Sequence, residues 1–292
     1  MSKQKSSVVI KANSGSSPAQ KFRMGVAALV LNIITLLLYA TPFLFMLLNS
    51  FKDRSAASKM NMRWPETFHP ENYLEVIKAS GGMLPTAFKN SFILTFTVVA
   101  ATVVICSMTA FYIQRRNNKT AHVVSGLLMM GLMVPVAVMP SIWVLQTLNL
   151  FRSKLGLIFI QIAIGMPFSM MLYRGFIASV PREIDEAAEI DGCNTARLFF
   201  QIIFPILKPV TATVIILSAI NVFNDFSNAL YFLPGSENAT VQLTLYNFMG
   251  AYSNRWNLVF ADVVIICVPM LLLFMLFNKQ IVAGMTAGSV KG

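Results

Sequence analysis

Four polar residues interrupt an apolar stretch of the chain: Asn221, Asn224, Asp225 and Asn228. Their spacing is i, i+3, i+4, i+7, which puts all four on one face of a helix. Amides and carboxylates are groups that hydrogen-bond hydroxyl-rich molecules such as sugars. A carboxylate within a membrane span is expensive, and it usually faces a bundle interior or a watery cavity. The four residues therefore read as the lining of a translocation pathway. Two blander readings stay open. The stripe could hold helices together by hydrogen bonds, or Asp225 could sit at the outer interface. Asp262, at the start of the last apolar run, reads as interfacial.

A second constellation lies between the fourth and fifth apolar runs, from Val180 to Asn194 and on to Phe204 and Pro209. It reads as two short helices at an angle. Pro181 suits a helical first turn. Glu183, Asp185 and Glu186 place acid at the positive end of the helix dipole. Gly192 is able to end the helix in a left-handed conformation. Asn194 or Thr195 caps the second helix, and Pro205 and Pro209 break the chain after it. Ile184, Ala187, Ala188 and Asp191 share one face, with Glu186 beside it. Small side chains there make a compact wedge, suited to a groove on a partner.

Six apolar runs must position these groups: about 24–48, 87–113, 121–145, 156–178, 210–232 and 258–279. Each is long enough to span a bilayer as a helix. The chain is 56% hydrophobic and only 12% charged, with mean hydropathy +0.65. A soluble domain carries about 25% charged residues, so the surrounding solvent is lipid. The expected fold is an all-α membrane protein of six transmembrane helices. Gly165, Pro167 and Arg174 interrupt the fourth run, and Pro135, Pro140 and Pro269 suggest kinks in the third and sixth.

The net charge of +11 comes from residues scattered through the N-terminal tail and the short connections. That pattern fits the positive-inside rule rather than nucleic-acid binding. Arg115, Arg116 and Lys119 in one short loop, and Arg182, Arg197 and Lys208 in another, place the termini on the cytoplasmic side. Residues 1–20 read as a disordered cytoplasmic tail. Residues 21–86 read as the first membrane helix and an outer loop, 87–281 as the transmembrane core, and 282–292 as a cytoplasmic tail. Cys106, Cys193 and Cys267 show no paired spacing, and no metal site is suggested.

At this point the loop resembles a known family. Glu186-Ala187-Ala188, then Gly192, then Ile202 and Pro205, is similar to the EAA loop of binding-protein-dependent ABC importers. Phe204 stands where the family pattern usually has Leu. Asp191, Phe200, Asn90-Ser91 and the tail from Gly284 to Gly292 resemble the carbohydrate-uptake branch. The resemblance implies a type I ABC importer transmembrane domain with a coupling helix at about 181–204. Glu186, Ala187, Ala188, Asp191 and Gly192 would couple to the ATPase. It implies a second permease subunit forming a heterodimer, a cytoplasmic ATPase dimer holding ATP and Mg²⁺, and an extracellular solute-binding protein. The substrate would be a sugar, with an oligosaccharide as the first guess, and the location a bacterial cytoplasmic membrane. The outer stretch from Pro234 to Trp256 corresponds in position to a loop that reaches the docked binding protein.

The chain has no phosphate-binding loop of the GxxxxGK[ST] type, so it is expected to be no enzyme and to hold no cofactor itself. An ion- or proton-driven secondary transporter is the alternative. It would favour paired ionisable groups and internal repeats, whereas Asp225 is the one candidate acid and no repeat is clear. A membrane-embedded enzyme would need a converging constellation within the spans, and none is evident.

Overall fold

The computed structural model describes residues 18–116, 118–250 and 254–287, with side chains between 25 and 277. Most of the expected N-terminal tail and the last five residues of the expected C-terminal tail lie outside the described residues. So do residues 251–253 of the stretch from Pro234 to Trp256. The described part is helical, and its only β-pairing is an isolated bridge between Met249 and Asn254.

Helix α1, Pro18–Ser50, exposes its apolar side chains almost all round, as a lipid-facing helix does. A five-residue helix α2, Arg54–Ser58, follows, started by the Asp53 side chain accepting from the amides of Ser55 and Ala56. Helix α3, Glu71–Arg115, is broken by non-helical backbone at residues 79–82, where Ser80, Gly81 and Gly82 have positive φ. The apolar helix after that break is the second expected span.

The third expected span is not one helix. Helix α4, Lys119–Met130, and helix α5, Val138–Thr147, are separated by residues 131–137. Pro135 offers no amide hydrogen and pushes Val134 out of the helical region. Gly131 meets α6, Lys154–Ile177, at this break; a Cβ on it would lie 2.9 Å from Cγ of Pro167. Only glycine permits that approach.

The fifth expected span is also divided. Helix α7 covers Glu183–Ile190 and helix α8 Thr195–Arg197, running into a π-helical turn, Leu198–Ile203. Helix α9, Phe204–Ile206, ends this segment. Helix α10, Lys208–Phe223, then leaves at 76° to it, as the two prolines Pro205 and Pro209 require. α10 stops at Asn224, and helix α11, Ser227–Phe232, starts anew. Two 3₁₀ segments, Ser236–Asn238 and Val241–Phe248, lead to helix α12, Trp256–Ala287. α12 thus carries residues 282–287, expected as tail, in helical form.

Among the described residues, α1, α3, α6 and α12 are each long and apolar enough to cross a membrane. α10 joins them if it and the bent segment before it form one broken span. α3, α6 and α10 pack against one another, and α12 packs on α1, α3 and α10. One large core cluster lies where α3, α6, α7 and the π-helical turn converge, with Tyr173, Ile177, Ile203 and Leu207 fully buried. At the opposite end the chain is tied by polar groups. Lys52, 2% exposed, donates from Nζ to Oδ1 of Asn49 at 3.0 Å, and to O and Oδ1 of Asn61 at 2.7 and 3.0 Å. All three ammonium hydrogens therefore have acceptors.

Candidate functional site

A cavity of about 370 Å³ opens between α3, α6 and α10. Its polar lining comes from Thr102, Gln161, Ser169, Ser218, Asn221, Asp225 and Asn228. Three of the four residues of the sequence stripe are therefore brought together, but not on one helix. Asparagine and aspartate compete with the helix for backbone hydrogen bonds. Here Asn224 caps the end of α10, and the Asp225 carboxylate accepts from the Asn228 amide at 3.3 Å across the turn into α11. The break swings Asn224 away from the cavity lining. Its Oδ1 accepts instead from Nε2 of Gln242 at 3.2 Å.

Asp225 is the centre of the polar set. Gln161 Nε2 donates to its Oδ2 at 2.5 Å, and Asn228 Nδ2 donates to its Oδ1 at 3.0 Å. Gln161 is a site residue that the sequence reading passed over. The available signal was a lone amide inside the apolar run 156–178. Thr102, Ser169 and Ser218 carried no such signal, because hydroxyls are common in membrane helices.

The opposite end from α7 is closed by the segment 236–248 laid against α3. Asn90 Nδ2 donates to the carbonyls of Glu237 and Ala239 at 3.0 and 3.1 Å, and its Oδ1 accepts from Lys154 Nζ at 2.8 Å. Ser91 Oγ accepts from the Val241 amide at 3.0 Å. The Asn90-Ser91 pair thus pins this segment. The same segment corrects the reading of Asp262. That residue is fully buried rather than interfacial, because Thr244 folds over it and donates its hydroxyl to Oδ2 at 2.8 Å.

At the other end stands α7. Its C-terminus is a Schellman motif: Gly192 has φ +79°, its amide donates to Glu189 O at 3.0 Å, and the Cys193 amide donates to Ala188 O at 2.9 Å. Asn194 caps the next helix by accepting from the Arg197 amide at 2.9 Å. Ala188 is 5% exposed and Ile184 packs on the core, so both point inward. Glu186, Ala187, Asp191 and Gly192 are exposed, and Ile190 is 86% exposed. The face turned to solvent therefore runs through Glu186, Ala187 and Ile190, not through Ala188.

Arg115 fixes this helix to α3. Its Nε lies 2.6 Å from Oδ2 of Asp185, with the two side chains 11% and 14% exposed. Its Nη1 and Nη2 donate to the Val180 carbonyl at 3.3 and 3.2 Å. Arg182 Nη2 donates to Gln114 O at 3.3 Å. Burial pushes the Asp185 carboxyl above the usual carboxylate range, outweighing the pull of Arg115 and Arg182. In the sequence Arg115 was legible only as a topology charge.

Residues 101–287 match the family described as binding-protein-dependent transport system inner membrane component. The melibiose/raffinose/stachyose import permease protein MelC of Bacillus subtilis is 32% identical, over 86% of this chain and 91% of its own. The trehalose/maltose transport system permease protein MalG of Thermococcus litoralis is 30% identical, over 91% of this chain and 95% of its own. A chain of a bacterial ABC transporter involved in the import of the acidic polysaccharide alginate shares the fold, with TM-score 0.76 at 20% identity, over 90% of this chain and 98% of that one. The match spans the cavity helices and α7 alike, and the chain belongs to the binding-protein-dependent transport system inner membrane component family.

Proposed function

We propose that this chain is the permease subunit of an ATP-driven importer that moves a sugar, first of all an oligosaccharide, into the cytoplasm. It is a type I importer subunit with six membrane crossings, the third and fifth broken. Both termini are cytoplasmic in this reading. Support comes from the α7 end, where Arg115, Arg116, Lys119, Arg182, Arg197 and Lys208 gather. The named substrates of the relatives MelC and MalG are sugars. The partners are a second permease subunit, a cytoplasmic ATPase dimer binding ATP and Mg²⁺, and an external solute-binding protein.

One observation carries the reading: cavity and exposed helix share the same rigid elements. α3 lines the cavity with Thr102 and is clamped to α7 through Arg115. α10 lines it with Asn221 and follows directly on the segment that begins at α7. A displacement of α7 by an ATPase would move both walls together, which is rigid-body coupling. Asn221, Asp225 and Asn228 line the pathway in this scheme. Glu186, Ala187, Asp191 and Gly192 meet the ATPase, and Ala188 seats α7 on its own subunit.

The test is Ile190→Cys in the assembled transporter in proteoliposomes, against cysteines along the ATPase surface. A crosslink whose yield changes with ATP, with uptake requiring the ATPase, is the expected result. No crosslink at any position, together with uptake driven by an ion gradient without the ATPase, overturns the reading in favour of a secondary transporter.

A further inference from the structure

Among the described residues that line the cavity, the one group able to carry a charge is an acid. Among its described lining residues there is no Lys, Arg or His, and Asp225 is the sole acid. Every hydrogen bond that the structure gives the Asp225 carboxyl comes from an N–H donor: Gln161 Nε2, Asn228 Nδ2 and the Asn228 amide. N–H donors to a carboxyl favour its ionised form. The two basic residues of α6, Lys154 and Arg174, donate to Asn90 and Ser125 rather than to the cavity.

We infer that Asp225 sets the charge class of the substrate, admitting neutral or amino sugars and rejecting sugars that carry carboxylates. The inference rests on the proposed pathway role of this cavity. Neutral hydroxyls donate to carboxylate and amide oxygens and accept from amide hydrogens, and this wall offers both kinds of partner. A uronate brings a second anion to a wall whose described residues include no cation. Two carboxylates about 6 Å apart at an effective dielectric of ~20 repel strongly enough to cost roughly a hundredfold in occupancy. The competing role for Asp225 is structural, because it also caps the turn into α11. Asp225→Asn separates the two roles, since asparagine caps as well as aspartate but carries no charge.

The experiment uses the assembled transporter in proteoliposomes without the binding protein, so that selection upstream plays no part. Ser218, which lines the cavity, is replaced by cysteine in a chain whose Cys106, Cys193 and Cys267 are changed to alanine. The rate of its alkylation by N-ethylmaleimide is measured against added sugar. Maltotriose and raffinose are the neutral probes, tri-glucosamine the cationic one and trigalacturonate the anionic one. Protection by a neutral or cationic probe at roughly hundredfold lower concentration than by trigalacturonate is expected. Asp225→Asn is expected to narrow that gap to a few-fold.

Equal protection by trigalacturonate in the chain that retains Asp225 overturns the charge selection while leaving the pathway reading intact. An undiminished gap in Asp225→Asn shows that another group discriminates, and also overturns it. Alkylation that no sugar of any charge slows removes the cavity from the pathway, and the inference falls with it. If Asp225→Asn fails to assemble, Asp225→Ser, which also caps a helix and carries no charge, takes its place in the same comparison.

Discussion

Replacing Arg115 with methionine should loosen α7 by an amount the structure bounds. The substitution leaves the Asp185 carboxyl 14% exposed and without its ion-pair partner at 2.6 Å. Breaking one side of a buried pair costs about 3–5 kcal/mol. The carboxyl has an escape, which is to take up a proton. From the ordinary Asp value of about 3.9, protonation at pH 7 costs about 4 kcal/mol, at ~1.4 kcal/mol per pH unit. That is the ceiling, and residual exposure brings the expected cost to about 3 kcal/mol. Local opening should then rise roughly a hundredfold.

The assay is amide hydrogen exchange at Asp191, Gly192 and Cys193, whose amides are bonded to Ala187, Glu189 and Ala188, measured relative to the parent at each pH. The sign in pH follows from the direction of the shift. A raised carboxyl pKa favours the folded state fully below the ordinary Asp value, and that advantage is lost as pH rises through the folded value. In Arg115→Met the excess exchange should therefore shrink to about tenfold at pH 5, where the ceiling is about 1.5 kcal/mol. Because burial already outweighs Arg115 at Asp185, the double variant Arg115→Met/Asp185→Leu should recover most of the loss. Exchange within threefold of the parent at pH 7, or an excess that does not fall by pH 5, refutes the argument.

Gly192→Ala forces a side chain into φ +79°. It should cost about 1–2 kcal/mol, read as faster proteolysis between α7 and α8. Asn90→Ala leaves the Glu237 and Ala239 carbonyls and the Lys154 ammonium without their partner. A loss of about 2–3 kcal/mol is expected, seen as a lower unfolding temperature in detergent; an unchanged temperature would show that water replaces Asn90. Backbone amides hold the Asp53 carboxyl below its usual value. Its contribution to α2 is therefore present above the ordinary Asp range and lost as pH falls through the lower folded value. Asp53→Ala should remove that pH dependence and about 1 kcal/mol of local stability, measurable as exchange at Ser55 and Ala56.

Much of the architecture was already legible in the order of the residues. Long apolar runs made membrane helices of α1, α3, α6 and α12 because lipid offers backbone groups no partner outside a helix. Pro205, Pro209 and Gly192 marked where the α7 segment bends and ends, because proline lacks a donor and glycine tolerates positive φ. These are local properties, and a sequence displays them directly. What the chain order could not show is which side chains meet across it. Asp225 finds Gln161 and Arg115 finds Asp185 across separations of 64 and 70 residues. The stripe 221–228 looked continuous because periodicity cannot reveal that an aspartate will cap a new helix rather than extend the old one. Ala188 looked like the outward face of its helix, and only the packing of α7 onto α3 and the π-helical turn decided that it faces in. Asp262 looked interfacial until Thr244, 18 residues earlier, was seen to cover it. Local backbone preference was written in the chain; burial and charge pairing depend on neighbours that only the folded bundle supplies.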